Sequence, residues 1–123
     1  MKFSEDNPGE GFVITAYGSN SVSIAGKDYA SSLIVCADRL IEDWPLARID
    51  DLREEHFAAI IELEPELVLL GTGNRLVFPP IQTYAGLIQR NIGIEIMNTP
   101  AACRTYNVLM SERRKVTAGL ISR

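Results

Sequence analysis

Residues 64–75 read EPELVLLGTGNR, and the fold can be worked out from this segment. Pro65 is expected to end a helix, because proline lacks the backbone N–H that a helix interior needs. Residues 66–70 are nearly all apolar, which is typical of a strand buried on both faces of a sheet. The glycine-rich residues 71–74 then predict a loop at the end of that strand.

A helix and a second strand follow this loop. The proline pair at 79–80 can open a helix that reaches Arg90, and residues 94–97 read as a strand. Such a strand–helix–strand crossover is right-handed, so its two strands should be parallel. The loops 71–74 and 98–100 should therefore emerge at the same edge of the sheet. Open α/β sheets bind their ligands at that edge.

A third helix begins after the second loop. Thr99 is expected to be its N-cap and Pro100 its first residue, and the helix should run to about Ser111. One face of this helix carries Ala102, Cys103, Tyr106, Leu109 and Met110. We expect Cys103 to pack in the core, and the alternative is a thiol whose pKa is lowered by the helix N-terminus. Residues 116–121 predict the last strand.

The first half of the chain is predicted to be mostly strand. Residues 11–17 are rich in β-branched and aromatic side chains, and residues 21–24 alternate strictly between polar and apolar. With a turn at 18–20 between them, they predict a β-hairpin. Residues 26–28 predict a second turn, and residues 32–36 predict a third strand.

The predicted first helix starts at Asp50 or Asp51, either of which can cap it, and runs to about Leu63. His56 lies on its apolar face and is expected to be a packing residue. Trp44 precedes the helix in an irregular stretch. There it is either a plug of the core or an anchor for a protein partner.

Composition limits the possible partners. A chain of 123 residues predicts a single domain, 1–123, with a loose N-terminal arm at 1–10. It has 16 acidic and 12 basic residues, a net charge of −4, so no positive field favours nucleic acid. The N-terminus does not resemble a signal peptide, and the longest apolar run, 67–70, is too short to span a bilayer. We therefore expect a cytoplasmic protein without a transmembrane segment.

Cofactor and metal chemistry have little support in the sequence. The chain has two cysteines, Cys36 and Cys103, and one histidine, which do not make a cysteine–histidine zinc site. Two free buried thiols are expected. No cofactor, no metal and no catalytic residue is predicted, since no nucleophile–histidine–carboxylate arrangement is suggested.

One candidate ligand or anion site remains at the shared sheet edge. The glycine pattern is not a dinucleotide fingerprint, because Leu76 stands where the third glycine would be, and no P-loop is present. A helix N-terminus at this edge can attract an anion, and the alternative for these residues is an ordinary turn and cap. The candidate residues are Gly71, Thr72, Gly73, Asn74, Thr99 and Arg104, with Tyr106 and Asn107 behind them.

Residues 64–75 and 93–109, the latter reading GIEIMNTPAACRTYNVL, resemble the Mth-type domain family of unknown function. The family includes a mitochondrial complex I assembly factor and an adipogenesis-associated protein. The resemblance extends over essentially the whole chain. The sequence departs from the family pattern just before the last strand, where Arg113 stands in place of the usual glycine. This replacement argues against a tight left-handed turn there and adds a surface charge.

The resemblance implies a three-layer α/β fold around a central mixed sheet, with one strand antiparallel to the others. The expected element order is β-β-β-α-β-α-β-α-β. It also implies a non-catalytic protein-interaction or complex-assembly factor, with an unidentified protein partner that could belong to a membrane complex. Trp44 and Arg104 are the candidate partner contacts. The alternative function is binding of a small molecule or anion at the sheet edge, with enzymatic activity left open.

Overall fold

A five-stranded mixed sheet forms the centre of the computed structural model, which describes residues 11–18 and 21–122. The strands of this part of the chain are β1 (Ile14–Tyr17), β2 (Val22–Ile24), β3 (Lys27–Tyr29), β4 (Leu33–Val35), β5 (Leu40–Ile41), β6 (Leu67–Gly71), β7 (Gly93–Met97) and β8 (Val116–Leu120). The helices are α1 (Ala58–Glu62), α2 (Ala85–Gln89) and α3 (Thr99–Ser111). Three 3₁₀ turns accompany them, at Ile49–Asp51, Glu54–Phe57 and Ile81–Thr83.

The strand order of the central sheet is β5-β4-β8-β6-β7. β6 pairs in parallel with both β7 and β8, which confirms the predicted crossover. β4 pairs antiparallel with β8 and with β5, so β4 runs against the other four strands. The mixed sheet with one antiparallel strand is therefore confirmed.

The sheet is buried on both faces, as the apolar run in β6 predicted. Successive side chains of a strand point to opposite faces. Leu69 accordingly packs in one core with α3 and with the separate three-stranded sheet β1-β2-β3. Val68 and Leu70 pack in a second core with α1 and α2. These two cores on either side of the sheet confirm the three-layer α/β fold.

The predicted hairpin is present, but the turn predicted at 26–28 is wrong. The two-residue turn is Ala25–Gly26, with φ of 53° and 81°, and Lys27 and Asp28 belong to β3. Two consecutive positive φ angles suit the twist of a tight hairpin, so the chain reverses before Lys27. The short strand β5 was also missed. Residues 19 and 20 of the first turn, and the predicted arm at 1–10, lie outside the described residues.

The first two helices are shorter than predicted. The segment 50–63 divides into the two 3₁₀ turns and α1, and neither Asp50 nor Asp51 caps a continuous helix. Instead, the backbone N–H of Arg53 donates to Nδ1 of His56 over 2.8 Å. The predicted helix 80–90 likewise begins as a 3₁₀ turn, and α2 starts only at Ala85.

The third helix ends where predicted, at Ser111, but begins one residue earlier and has a different cap. Asn98 is the N-cap, because its Oδ1 accepts from the N–H of Ala101 over 2.8 Å. Thr99 is the first residue of α3 and Pro100 the second. The expectation that Thr99 caps the helix is therefore wrong, and its hydroxyl is free for other partners.

The end of α3 corrects the expectation for Arg113. Its φ is 62°, so the left-handed turn is present without glycine. The N–H of Arg113 donates to Met110 O over 2.9 Å, and the N–H of Arg114 donates to Leu109 O over 3.0 Å. These two bonds form a Schellman motif, which satisfies helix carbonyls that would otherwise lack partners.

Candidate functional site

The loops after β6 and β7 meet at one edge of the sheet, as predicted. The N–H of Thr99 donates to Gly73 O, and the N–H of Gly73 donates to Thr99 Oγ1, each over 2.8 Å. The same hydroxyl donates to Ile121 O over 2.8 Å. One buried threonine thus joins the loop after β6, the start of α3 and the chain after β8.

Gly71, at the end of β6, and Thr72, which follows it, also stabilise the fold. A Cβ on Gly71 would lie 2.8 Å from Thr99 Oγ1 and 3.0 Å from Thr99 Cα, so only glycine allows this close approach. Buried Thr72 donates its hydroxyl to Arg75 O over 2.6 Å and accepts from the N–H of Val77 over 3.3 Å. The hydroxyl groups of the predicted ligand edge are therefore bonded within the protein.

The space at this edge is small. A cavity of about 10 Å³ is lined by Asn74, Thr99 and Ser122, among others, and has room for about one water molecule. Asn74 is exposed beside it. The predicted edge residues Gly71 to Asn74 and Thr99 do come together, but a larger ligand would have to bind outside this cavity.

The other three predicted residues lie further along α3 and hold the hairpin. Asn107 accepts from the N–H of Ile14 over 3.0 Å and donates to Ile14 O over 2.6 Å, which satisfies both main-chain groups of Ile14. Tyr106 donates its hydroxyl to Phe12 O over 2.7 Å. These contacts dock β1 on α3, at some distance from the helix N-terminus.

Arg104 is an exposed part of the same contact. Its Nη1 donates to the hydroxyl of Tyr17 over 3.2 Å, and its guanidinium carbon lies 5.9 Å from the centre of the Tyr17 ring. The distance lies within the range of a cation–π contact, and Arg104 is exposed, so its charge stays near solvent. Arg104 as a partner contact stays a prediction.

Trp44 is in the core. Only 3% of its surface is exposed, and its Nε1 donates to the carbonyl oxygen of His56 over 2.9 Å. Its ring packs over Gly119, where a Cβ would lie 2.8 Å from the indole. Of the two alternatives for Trp44, the structure therefore shows the core plug.

The two thiols and the Tyr106 hydroxyl belong to buried residues. Cys36 and Cys103 are free thiols, as predicted. Burial raises the pKa of Cys103 from 9.0 to about 12 and also raises the pKa of Cys36 and of Tyr106. A thiol with a raised pKa stays protonated, so Cys103 packs rather than attacks. Within 11–18 and 21–122, no group of three or more histidine, cysteine or carboxylate side chains is placed to hold a metal ion.

A surface feature that the sequence reasoning missed lies between β6 and α2. In the segment 76–81, here called the apolar loop, Leu76, Phe78 and Ile81 are 50%, 68% and 57% exposed. The available signal was LVFPPI, an apolar sequence in a segment without helical or strand periodicity. Exposed apolar side chains grouped in this way commonly mark an interaction site.

The fold belongs to a known structural class. The solution structure of a Mth938-like domain from Bordetella pertussis superimposes on this fold with a TM-score of 0.83. The superposition covers 99% of this chain and 92% of the Bordetella chain, and the two sequences are 24% identical. The molecule is thus an α/β domain of the Mth938-like fold.

The chain belongs to the family described as "Protein of unknown function (DUF498/DUF598)", whose model matches residues 14–121. This confirms the resemblance noted in the sequence.

Two relatives give the family context. The mouse protein named NADH dehydrogenase [ubiquinone] 1 alpha subcomplex assembly factor 3 is 33% identical over 110 residues, which are 88% of this chain and 59% of the mouse protein. The Francisella tularensis protein named 13 kDa major membrane protein is 30% identical over 97 residues, 76% of this chain and 77% of that protein. The chain therefore matches little more than half the length of the mouse relative. Within residues 11–18 and 21–122, the helices are all too short or too polar to cross a bilayer.

Proposed function

We propose that this protein is a non-catalytic protein-interaction module that takes part in the assembly of a multisubunit complex. The observation that carries the proposal is the apolar loop. It exposes large apolar side chains to solvent although the protein has two well-buried cores to receive them. Exposing them has a solvation cost that a partner surface would remove.

The backbone of the apolar loop is held in place. Thr72 bonds to Arg75 O and to the N–H of Val77 at its start, and Thr83 donates its hydroxyl to Pro80 O over 2.7 Å at its end. A loop fixed in this way loses little conformational entropy when it binds, which favours its use as a docking element.

The family context supports the same function. The name of the mouse relative describes an assembly factor, and 88% of this chain aligns with it. The burial of both thiols and of the Tyr106 hydroxyl is also consistent with a role that does not depend on nucleophilic chemistry.

The test is affinity purification at native expression level from the source organism, in mild detergent, followed by quantitative mass spectrometry. We expect a partner in near-equal amount with the wild-type protein. Phe78→Ser should reduce its recovery at least fivefold, because the most exposed ring of the apolar loop is lost. Val108→Ser is the matched control, since Val108 is 54% exposed but lies on α3.

One result would contradict the proposed function, and another would contradict the role of the apolar loop. One is a protein that behaves as a lone monomer in lysate at every salt concentration. The other is a partner that Phe78→Ser and Val108→Ser retain equally. In the second case the interaction would stand, but the apolar loop would not carry it.

The alternative, a small molecule or anion bound at Gly71–Asn74 and Thr99, stays a prediction. What supports it is the meeting of the two loops, and what weakens it is the internal bonding of both threonine hydroxyls. Inorganic phosphate titrated into the protein should shift the amide resonances of Gly73 and Asn74 if this site exists. The expected cytoplasmic location and the possible membrane-complex partner likewise remain predictions.

A further inference from the structure

β7 forms one edge of the central sheet. Among the described residues it pairs only with β6. The N–H of Gly93 donates to Glu66 O over 3.0 Å, and Met97 O accepts from the N–H of Thr72 over 2.9 Å. Because main-chain groups alternate in direction along a strand, those of Ile94 and Ile96 point away from β6. Two N–H and two C=O groups are therefore directed toward the open side.

This edge has little protection against pairing. Natural proteins block exposed edges with lysine, proline, bulges or very short strands. β7 has five residues, contains no lysine or proline, and keeps an unbroken register with β6, and its one charged side chain is the exposed Glu95. The opposite edge strand, β5, has only two residues. An edge such as β7 is a template to which an extended chain can add as a further strand.

The side chains of β7 restrict the chemistry of the added strand. Ile94 and Ile96 pair with Val68 and Leu70 and are half-buried on the face that α2 covers. Glu95 pairs with Leu69 and points to the other face, where it is exposed. A complementary strand would therefore place apolar side chains on the isoleucine face and a positive charge beside Glu95.

A second copy of this chain fits poorly. An antiparallel β7–β7 pair that uses the outward groups of Ile94 and Ile96 in both copies has its two-fold axis at Glu95. The two Glu95 carboxylates would then lie directly opposite each other, and like charges in that position destabilise a sheet.

We propose that the outer edge of β7 binds an extended segment of a different protein, with a lysine or arginine beside Glu95 and apolar residues on either side of it. The inference rests on the proposed interaction function and specifies one contact of the partner. It is independent of the apolar loop.

Two synthetic peptides test the proposal. One is acetyl-Ser-Thr-Ile-Lys-Ile-Thr-Ser-amide, and the other has glutamate in place of the lysine. In NMR titrations of the whole chain, the lysine peptide should shift the amide resonances of Ile94 and Ile96 and slow their hydrogen exchange at least tenfold. It should bind at least fivefold more tightly than the glutamate peptide. Glu95→Lys should reverse this preference, and because position 95 is exposed, the substitution should leave the fold intact.

Ile96→Pro removes one outward N–H and leaves the N–H groups that bond to β6. It should abolish peptide binding, whereas Ile96→Ala, the control for lost packing, should still bind. The proposal is overturned if neither peptide shifts these amides at millimolar concentration, or if the preference does not depend on the charge at position 95. It is also overturned if the two amides are already protected in the free protein, or if sedimentation shows a wild-type dimer that Ile96→Pro dissociates, because a second copy would then occupy this edge.

The affinity purification separates this inference from the proposed function. If a stoichiometric partner is recovered equally with wild type and Ile96→Pro, the partner binds elsewhere and the inference about β7 fails alone. If no partner is recovered, the proposed function fails, and peptide binding then shows only that the edge accepts a strand.

Discussion

Replacing Thr99 with valine should destabilise the fold by about 3 kcal/mol. Thr99 is buried, and its hydroxyl accepts from the N–H of Gly73 and donates to Ile121 O, each over 2.8 Å. Valine has nearly the same shape but leaves both groups without a partner. A buried unsatisfied donor or acceptor costs about 1–3 kcal/mol, so two of them give about 3 kcal/mol even after some relaxation.

Urea unfolding followed by fluorescence measures this loss. Trp44 is the only tryptophan and is buried, so its emission reports on the core. A domain of this size has a free energy of unfolding of roughly 6–18 kcal/mol, so Thr99→Val should still fold. With an m value of about 2 kcal/mol per molar urea, the midpoint should fall by about 1.5 M while m stays unchanged.

Thr105→Val is the matched control. Thr105 lies on the same helix and is half-buried, and its hydroxyl has no protein hydrogen bond within the described part of the chain. Its free energy of unfolding should change by less than about 0.5 kcal/mol. If Thr99→Val loses less than about 1 kcal/mol, or no more than Thr105→Val, the hydroxyl does not join the three segments as argued.

Three further changes probe other parts of the fold. Arg113→Gly should raise the free energy of unfolding by about 0.5–1 kcal/mol, because the strain that arginine has at the left-handed φ of 62° outweighs the extra conformational entropy of glycine in the unfolded chain. If Arg113 is not strained, urea denaturation would show a lower free energy of unfolding for the glycine variant. Asn107→Ala should lower the free energy of unfolding by about 2 kcal/mol, because the two hydrogen bonds to Ile14 are lost. It should speed amide hydrogen exchange in β1 more than in β6, and equal acceleration in both strands would contradict the role of Asn107 in docking β1. Burial raises the pKa of Cys103 from 9.0 to about 12, so the thiol ionises in the unfolded chain first, and the free energy of unfolding should fall as the pH rises from about 9 toward 12. Cys103→Ala should lessen that fall when denaturation is measured across this pH range. The same dependence of the free energy of unfolding on pH in both proteins would refute the burial of the Cys103 thiol as its cause.

Local signals in the sequence were enough to predict α3 and the strands around it. The proline after Thr99 and the apolar face from Ala102 to Met110 predicted a helix that ends at the observed residue, Ser111, and begins within one residue of the observed start, Thr99. The apolar run in β6 predicted burial on both faces, since only a central strand needs it. The helical crossover between β6 and β7 indicated parallel strands, which placed Gly73 and Thr99 at one edge.

Short elements depended on partners distant in the sequence. β3 and β5 have three and two residues, and such segments have no periodicity to detect. They are strands because β2 and β4 pair with them. Residues 50–63 had helical spacing, but the chain forms two 3₁₀ turns before α1 begins at Ala58, and Nδ1 of His56 bonds to the N–H of Arg53.

The sequence by itself determined the class of fold and which loops share the carboxyl edge, because these follow from apolar patterning and from the stereochemistry of the crossover. Only the tertiary structure decided what the residues at that edge do. The hydroxyl of Thr99 bonds to Gly73 and to Ile121, and Trp44 fills the space over Gly119. A side chain's hydrogen-bond partners and burial depend on which distant backbone groups come within about 3 Å of it, and that is fixed when the layers pack.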